Sequence, residues 1–519
     1  MTDGTAGAPD VGLGGRRLIL ASNREPFKAI KGKNGKGRQF ELSVGGLASA
    51  LNPILTRCEG MWIAWNPVPA VNGNGHVPLK ETRGDDVPFP LLQIGLHKDE
   101  INGYYNGFCN RALWPLCHTY LRYVTPRLDY WHKFRDVNYR FADTIAAQAA
   151  TGDVVWIHDY HLMLVPAALR RQLGEKQPIG YFHHVPFPNA RILSAFPWHR
   201  RLLIGMLGAD SVAFHTPEYA SNFLECCREL LDLDEDSEDD IVSYRDHKTI
   251  VSVRPIGLDV AQFERLAKRA SVKQRAEKIR KDIGCSRVVL SVDRIDYTKG
   301  LFERVEAIRT FFARMPQARG VVTFMQVAIP SRLGVPEYRE YRERLEKAVA
   351  ALNKEFARDN WKPMIYRTDS LDQHELTAHY LAADVVLVTP AKDGMNLIAS
   401  EYCASRTDGD GAVVLSYQAG ASTYLGEFAV NVNSKRKESI INGIIQALTM
   451  APAERAYRMT RLRSLVKKNT TDVWLRNCLG DIIQPLKRVP DTAIAIHPPK
   501  VGELNRPMAA RPVSSAYRQ

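Results

Sequence analysis

Short apolar runs separated by longer stretches with helical periodicity occur in two successive series along the 519-residue chain. The first series comprises residues 18–22, 154–157, 179–182, 211–214 and 250–253, and the second comprises residues 288–292, 321–325, 364–366, 385–388 and 412–415. This alternation predicts an α/β protein with parallel sheets covered by helices. Because such sheets bind ligands at the carboxyl ends of their strands, we expect two Rossmann-like domains whose sheets face a central cleft.

The two series meet near Gly257-Leu258-Asp259, and a chain of this length exceeds one ordinary hydrophobic core. We therefore predict an N-terminal domain over residues 16–258 and a C-terminal domain over residues 259–485, with the last helix returning to the N-terminal domain. Residues 1–15 are small and glycine-rich, and residues 486–519 form a proline-rich basic tail. Neither segment shows a periodic pattern, so we expect both to be disordered.

The formal net charge of +13 is compatible with nucleic acid, a membrane surface or anionic small molecules as partners. The densest basic segment, residues 28–38, contains glycines and predicts a mobile loop; it carries no nucleic-acid motif. No apolar run is long enough to span a membrane, and no secretion signal is visible. The eight cysteines are scattered without a C-x-x-C pair. We predict a cytoplasmic protein with reduced thiols that binds phosphorylated metabolites, not nucleic acid or membrane.

The segment from Thr389 to Glu401 follows an apolar strand and predicts a tight loop that opens a helix. The first N–H groups of a helix lack intrahelical partners, so a phosphate fits this position, and Gly394 lets it approach the backbone. Asp393, Leu397 and Glu401 are spaced four apart, which predicts one shared helix face whose carboxylates bind sugar hydroxyls. The alternative is an ordinary strand–loop–helix with a capping aspartate.

Basic side chains follow several other predicted strands. Arg24, Arg294 and Arg332 each stand at a strand end, and Lys299 follows Arg294 by five residues, so these cations suit a diphosphate and a second phosphate. An ion pair within a loop is the alternative for each one alone. Polar groups at other strand ends include His158-Asp159-Tyr160-His161 and His183-His184, where no recognised ligand spacing indicates a metal site.

Seven motifs occur in a fixed order and resemble the trehalose-6-phosphate synthase family, which comprises retaining nucleotide-sugar glycosyltransferases of GT-B architecture. The resemblance extends over about residues 17–485. The motifs lie at residues 22–24, 45–47, 104–108 with 113–115, 156–162, 184–188, 293–300 and 393–397.

The resemblance implies transfer of glucose from a nucleotide diphosphate glucose, UDP-glucose, to glucose 6-phosphate, with α,α-trehalose 6-phosphate as product. The transfer reaction that the resemblance implies requires no cofactor and no metal. By resemblance, Trp114 and His184 shape the sugar site and fix the stereochemistry, and catalysis rests on His184, Arg294, Lys299 and Asp393. The acceptor would be held by Arg24, Tyr105, Asp159 and Arg332. The donor would be held by Gly45, Gly46, Arg294, Lys299, Asp393, Gly394, Met395, Asn396, Leu397 and Glu401.

Four departures from the family pattern bear on donor and acceptor preference: Lys392, Ser400, the segment 419–424, and a loop between Arg24 and Gly45 that is longer and more basic than in many members. Two alternatives therefore stay open at this stage. One is a sister transferase such as a glucosylglycerol-phosphate synthase, which would use a smaller phosphorylated acceptor. The other is a catalytically silent binding or regulatory member of the family, although every mapped position holds a suitable side chain. Assembly into a homo-oligomer is also left open.

Overall fold

The structure is a computed structural model that describes residues 12–31, 38–42, 46–66, 80–84, 87–233, 240–358 and 360–485. Two large sheets form its centre, one from the first half of the chain and one from the second. Helices cover both sheets, as expected for strands that are buried on both faces. Residues 1–11 and 486–519, for which disorder was predicted, lie outside the described residues.

Eleven described strands precede residue 260, and nine of them form one sheet in the order β10-β11-β9-β8-β7-β1-β4-β6-β5. Adjacent strands are parallel except for the pairs β5–β6 and β10–β11 at the two edges. The strands are β1 (Leu18–Arg24), β2 (Phe27–Lys31), β3 (Arg38–Leu42), β4 (Gly60–Trp65), β5 (Lys80–Gly84), β6 (Val87–Ile94), β7 (Val154–His158), β8 (Ile179–His183), β9 (Ser211–Phe214), β10 (Ile241–Tyr244) and β11 (His247–Val253).

The second sheet consists of six described strands, all parallel, in the order β14-β13-β12-β15-β16-β17. The strands are β12 (Arg287–Arg294), β13 (Val322–Ile329), β14 (Met364–Arg367), β15 (Val385–Val388), β16 (Ala412–Ser416) and β17 (Val430–Val432). Counted along the chain, this is the strand order 3-2-1-4-5-6 of a doubly wound Rossmann sheet.

The described helices lie mainly between consecutive parallel strands. In chain order they are α1 (Gly46–Leu55), α2 (Lys98–Glu100), α3 (Trp114–Cys117), α4 (Leu128–Gln148), α5 (Val165–Leu173), α6 (Ala190–Leu193), α7 (His199–Met206), α8 (Pro217–Leu231), α9 (Val260–Lys268), α10 (Ala270–Ile283), α11 (Leu301–Arg314), α12 (Pro336–Phe356), α13 (Gln373–Ala382), α14 (Ile398–Ser405), α15 (Ser422–Leu425), α16 (Lys437–Thr449), α17 (Pro452–Lys468) and α18 (Thr471–Ile483).

Local sequence signals explain where individual helices begin and end, as α8 illustrates. The Thr216 side chain accepts a hydrogen bond from the backbone N–H of Tyr219, and Pro217 occupies the first turn, where its missing N–H is not needed. At the other end Asp232 adopts a left-handed conformation that stops the helix.

All ten strands predicted from the sequence are present, and the α/β class with two parallel-dominated sheets is confirmed. The prediction missed seven described strands: the pair β2–β3, β10, β17, and β4, β5 and β6, which complete the first sheet on the far side of β1. In β6, Pro88 and Pro90 argue against a strand because proline has no backbone N–H to donate to a neighbouring strand. The β6 residues that pair with β4 begin at Leu91, after both prolines.

Helix α18, near the end of the described chain, packs on the first sheet. Trp474 lies 5.2 Å from Trp156 of β7, measured between ring centroids. Arg254 makes two hydrogen bonds to Asp481, at 2.8 and 2.9 Å. At Gly180 of β8 an added Cβ would lie 2.2 Å from the Ile482 side chain, so this glycine permits the close contact. The predicted domain boundaries at residues 258 and 485 stay predictions.

Two local predictions were wrong in part. The basic segment 28–38 was predicted as a mobile loop, but its ends belong to the antiparallel pair β2–β3, in which the backbones of Lys31 and Arg38 pair, and residues 32–37 lie outside the described residues. Cross-strand pairing supplies the regularity that the local sequence lacks. Residues 12–15 were included in the disordered N-terminus, but Leu13 is buried in the hydrophobic core.

Candidate active site

Polar residues follow the two central strands of each sheet, where the strand order changes direction. In the first sheet β1 and β7 flank this point, and Arg24 and Asp159 stand at or just after their ends. In the second sheet the corresponding point lies between β12 and β15. Strand β12 ends at Arg294, and the loop that carries Asp393 follows β15. Helices leave such a point toward opposite faces and open a crevice at the carboxyl ends. The candidate site therefore combines two crevices.

Three arginines from the two sheets lie at neighbouring aromatic rings: Arg24 at Tyr105, and Arg294 and Arg332 at Trp114. The guanidinium of Arg24 stacks 4.7 Å from the Tyr105 ring. Burial alone would raise the pKa of Tyr105, but the cations of Arg24, Arg332 and Arg294 lower it. Within the described part of the chain, neither Arg24 nor Arg294 pairs with a carboxylate. This concentration of uncompensated positive charge suits a phosphate group.

Arg332 is held in place by contacts from both halves of the chain. Its guanidinium donates to Asp296 at 3.2 Å, to Tyr338, and to the Tyr160 hydroxyl at 3.3 Å, and it stacks 3.7 Å above the Trp114 ring. Its backbone φ of 51° is unusual for a residue other than glycine. The surrounding contacts maintain this conformation, so the guanidinium is pre-organised for a ligand.

A π-helix spans Ile101–Leu113 and carries Tyr105 toward the arginines. Trp114, nine residues further on, begins α3 and contacts the same arginine cluster. At 3.6 residues per turn, nine residues of an α-helix make about two and a half turns and place the two rings on opposite faces. Hydrogen bonds from residue i to i+5 widen the helix to about 4.4 residues per turn, so nine residues make about two turns. The π-helix thus brings both rings to the site.

The Lys299 ammonium donates to the Asp393 carboxylate at 2.6 Å, and both side chains are buried. Asn396 donates to the same carboxylate oxygen at 3.1 Å. Although burial would raise the pKa of Asp393, Lys299 lowers it, and the carboxylate stays ionised. Lys299 retains N–H groups for a further anion, and Arg294, the last residue of β12, precedes Lys299 by five residues, which suits a diphosphate.

The predicted single helix face through Asp393, Leu397 and Glu401 is wrong, because α14 begins only at Ile398. Asn396 has a φ of 69°, which interrupts the helical path before this point. Of the three residues only Glu401 lies on the helix. Asp393 instead pairs with the backbone near Ala419, and the Ala421 N–H donates to the Met395 carbonyl.

Glu401 lies in the first turn of α14 and accepts a 2.6 Å hydrogen bond from the Tyr380 hydroxyl. Burial raises the pKa of the Glu401 carboxyl. A carboxylate with one fixed protein partner keeps acceptor capacity for hydroxyl groups of a ligand. This supports the predicted place of Glu401 at the donor.

Gly394 lies where the two halves of the chain meet, between Asp393 and the backbone of His184. A Cβ added to Gly394 would lie 2.1 Å from the His184 carbonyl oxygen, so only glycine fits here. The Tyr219 hydroxyl donates to the Asp393 carbonyl at 3.0 Å across the same junction. His184 and Asp393, far apart in sequence, therefore line one space.

Asp159 follows β7 with a φ of 78°, and its carboxylate accepts a hydrogen bond from the His184 backbone N–H at 3.2 Å. Burial would raise the pKa of Asp159, but the neighbouring histidines, led by His161, lower it. Burial also lowers the pKa of His184 well below its ordinary value, so the imidazole is neutral. The carboxylate therefore remains available at the acceptor side.

The predicted site residues are joined by several contacts: Arg24 with Tyr105, Arg294 and Arg332 with Trp114, Lys299 with Asp393, Gly394 with His184, and His184 with Asp159. Leu397 is only partly buried against the core, and the roles of all these residues stay predictions. Gly45 lies outside the described residues, and α1 begins at Gly46. Sequence reasoning gave no role to Asp296, Tyr160 and His158, although all three lie within the motifs that were singled out. Tyr338 and Tyr380 lie on helices without any local signal.

Among the described residues, no group of three or more histidine, cysteine, aspartate or glutamate side chains is arranged to hold a metal ion. In the same part of the chain no helix is both long and apolar enough to cross a membrane.

The fold and the site define a glycosyltransferase of the GT-B fold, with two Rossmann-like sheets and a cation-lined cleft. Residues 16–484 match the sequence profile of Glycosyltransferase family 20. The chain belongs to this family.

Related proteins support this assignment. A trehalose-6-phosphate synthase of Mycolicibacterium vanbaalenii is 36% identical over 479 residues, covering 91% of this chain and 96% of that protein. A bifunctional trehalose-6-phosphate synthase/phosphatase of Thermoproteus tenax is 36% identical over 469 residues, or 88% of this chain. The matched region spans only 62% of that relative.

Two solved structures are similar over 90% of this chain. A trehalose-6-phosphate protein from E. coli bound with UDP-2-fluoro glucose has a TM-score of 0.81 and 29% identity, with 99% of its own chain covered. A UDP-forming α,α-trehalose-phosphate synthase from Burkholderia xenovorans in complex with glucose-6-phosphate has a TM-score of 0.81 and 28% identity, with 100% covered.

Proposed function

We propose that this chain transfers glucose from UDP-glucose to glucose 6-phosphate and forms α,α-trehalose 6-phosphate with retention of configuration. The observation that carries this proposal is the placement of Arg24 at the Tyr105 ring and of Arg294 and Arg332 at the Trp114 ring, on one π-helix and its continuation. The Lys299–Asp393 pair on the same cleft supplies the second requirement, a place for a diphosphate beside a sugar. Relatives that bind a UDP-glucose analogue and glucose-6-phosphate support the choice of substrates.

The mechanism uses the cations of the cleft and needs no carboxylate nucleophile. The acceptor hydroxyl approaches the anomeric carbon on the face from which the diphosphate leaves. The bond from this carbon to the phosphate oxygen breaks as the bond to the acceptor oxygen forms, and the phosphate oxygen takes the hydroxyl proton. Arg294 and Lys299 stabilise the negative charge that grows on the leaving group. Asp393 binds hydroxyls of the transferred sugar and keeps Lys299 oriented.

An acceptor panel tests the proposal directly. Purified protein is incubated with UDP-, ADP- and GDP-glucose in turn and with glucose 6-phosphate, glucose or glycerol 3-phosphate as acceptor. Product is identified by its anomeric proton couplings. We expect glucose 6-phosphate with UDP-glucose to give the highest kcat/KM. If glycerol 3-phosphate is the preferred acceptor, the sister-transferase alternative is correct; if no pair gives product, the silent-member alternative is.

Activity is expected to be unchanged after the protein is treated with EDTA and freed of the chelate by gel filtration. Arg294 and Lys299 supply the positive charge that a divalent ion would otherwise bring to the leaving diphosphate. The rate is measured with and without added Mg²⁺ and Mn²⁺. Loss of activity in EDTA that a divalent ion restores would show that the metal-free mechanism is wrong.

Arg332→Ala is expected to raise the KM for glucose 6-phosphate roughly 10- to 150-fold, the value of a charge-assisted hydrogen bond to a phosphate. The donor KM should stay nearly unchanged, and free glucose, which lacks the phosphate, should be little affected. Arg339→Ala, on the exposed face of α12, is the matched control. Because the change also removes a partner of buried Asp296, the Tm of each variant is measured. An equal rise in both KM values would place Arg332 outside the acceptor site.

A further inference from the structure

Two neutral histidines form a hydrogen bond at the base of the sugar position. Nδ1 of His158, the last residue of β7, lies 3.0 Å from Nε2 of His184, which follows β8. His158 is completely buried, whereas His184 is only partly buried and borders the cleft. Burial lowers the pKa of His158 to about 3, so neither ring carries a charge at neutral pH.

A hydrogen bond between two neutral imidazoles fixes both tautomers together, because one ring must donate and the other must accept. If His184 donates, the proton of His158 lies on Nε2. That nitrogen is buried and has no partner among the described residues. If His158 donates from Nδ1, only a lone pair is left unpartnered at Nε2. Buried N–H groups without a partner are rarer than unpartnered acceptors, which favours His158 as donor.

Within the described part of the chain, the surroundings of His158 offer its Nε2 no hydrogen-bond partner. Its ring packs 4.5 Å from Trp156 and 6.4 Å from Phe182, measured between centroids. The ring therefore packs against two aromatic side chains, which restrict its orientation. With Nε2 of His184 accepting from His158, the proton of His184 lies on Nδ1, which has no partner among the described residues.

We propose that His158 is a positioning residue: it holds His184 in the tautomer with the proton on Nδ1, so that His184 offers the cleft a hydrogen-bond donor. The group that receives this bond is an oxygen of the transferred hexose, because the carbonyl of His184 abuts Gly394, next to Asp393. The identity of this recipient rests on the proposed function. His184 and Asp393 then divide the sugar between them, the first as donor and the second as acceptor of hydrogen bonds.

Two substitutions of His158 separate this role from packing. Asparagine places its Nδ2 donor near the position of the histidine Nδ1, whereas leucine fills a similar volume without a donor. Partners that orient a ligand-binding histidine in metal sites are worth roughly 10- to 100-fold, and we expect His158→Leu to lower kcat/KM for the nucleotide sugar by a similar factor. His158→Asn should restore it to within about threefold of the wild type, and the acceptor KM should change less than about twofold in both variants.

The tautomer itself is measured on the free wild-type protein, labelled with ¹⁵N-histidine. Protonated and unprotonated imidazole nitrogens have well separated ¹⁵N shifts, and the His184 signals are assigned by their absence in His184→Asn. We expect a protonated Nδ1 and an unprotonated Nε2 in His184 of the wild type, and reversal or mixing of the two in His158→Leu.

These measurements decide the proposal independently of the transferase reaction. The ¹⁵N shifts require no substrate, so an inactive wild type would contradict the proposed function and leave the tautomer test intact. A protonated Nε2 in wild-type His184 overturns the proposal. It is also overturned if His158→Asn and His158→Leu, with equal Tm, are equally impaired or equally active. If His158→Leu fails to fold, His158→Asn and the wild-type spectrum still give the answer.

Discussion

Lys299→Ala is expected to lower kcat by a factor on the order of 10²–10³, the usual effect of removing one group that stabilises transition-state charge. The Lys299 ammonium is buried and fixed at 2.6 Å from Asp393, so it does not need to reorganise as charge builds on the leaving diphosphate. The KM for the acceptor should change little, because the phosphate of the acceptor is assigned to Arg24 and Arg332. Steady-state kinetics with both substrates varied separate these effects.

The controls for this prediction address charge and folding. Lys278→Ala removes an exposed lysine of α10 and should leave kcat unchanged. Lys299→Ala leaves Asp393 buried without its cation, which costs stability, so Tm is measured and the double variant Lys299→Ala/Asp393→Asn removes the isolated charge. A kcat near that of the wild type in a folded Lys299→Ala protein would refute the assignment of Lys299 to the leaving group.

Stability is expected to fall steeply as the pH drops below about 6.5, the ordinary pKa of histidine. Burial lowers the pKa of several histidines, four of them to the following values: about 3 for His118, His158 and His215, and about 4 for His183. The unfolded chain binds protons at these groups below pH 6.5 and the folded chain does not, so protonation favours unfolding. The free energy of unfolding therefore has its full value above about pH 6.5, and it falls progressively as the pH drops toward the pKa values of the folded state.

The size of this effect is large compared with the stability of a typical protein. Each histidine costs about 1.4 kcal/mol at one pH unit below its unfolded pKa, so the four together cost about 6 kcal/mol at pH 5.5. Total stabilities are about 5–15 kcal/mol. Urea unfolding at pH 7.5, 6.5 and 5.5 measures this loss. The slope of the unfolding free energy against pH gives the number of protons taken up on unfolding.

Two variants test whether the buried histidines cause this loss. His118 lies 2.8 Å from the Trp114 carbonyl through Nδ1, and His118→Asn keeps a donor there but cannot titrate, so about one proton fewer should be taken up on unfolding. His132→Gln, on the exposed side of α4, should leave the pH dependence unchanged. An unfolding free energy that is constant from pH 7.5 to 5.5 would show that the histidines are not neutral and buried as described.

Several parts of the fold and the site follow from the sequence alone. Apolar runs and their spacing predict ten of the seventeen described strands. The basic residues at the ends of three of these strands predict that Arg24, Arg294 and Arg332 lie on one cleft. This works because all strands of a parallel sheet end at one edge, so a residue's position after a strand determines which edge it occupies. Gly394 is a second example. Its place in the loop after β15 predicts that another group comes close to the backbone there, and in the structure that group is the His184 carbonyl.

Other features depend on contacts between residues distant in the chain, and no local pattern contains them. Arg332 is held by Asp296, 36 residues away, and by Tyr160, 172 residues away. The left-handed Asn396 displaces the start of α14, so Asp393 and Glu401 do not share a helix face. The positive φ values of Arg332 and Asn396 are costly by themselves and persist only because the surrounding structure fixes them.

The sequence by itself determined the two alternating series, the edge of each sheet to which the cations belong, and the residues available for phosphate and sugar. Only the tertiary structure decided which of these residues share a contact. The helix that carries Tyr105 and Trp114 shows the reason. Their spacing of nine places them on opposite faces of an α-helix and on one face of a π-helix. The choice between the two depends on long-range packing, because the wider turn is stable only where neighbouring elements hold both rings against the site.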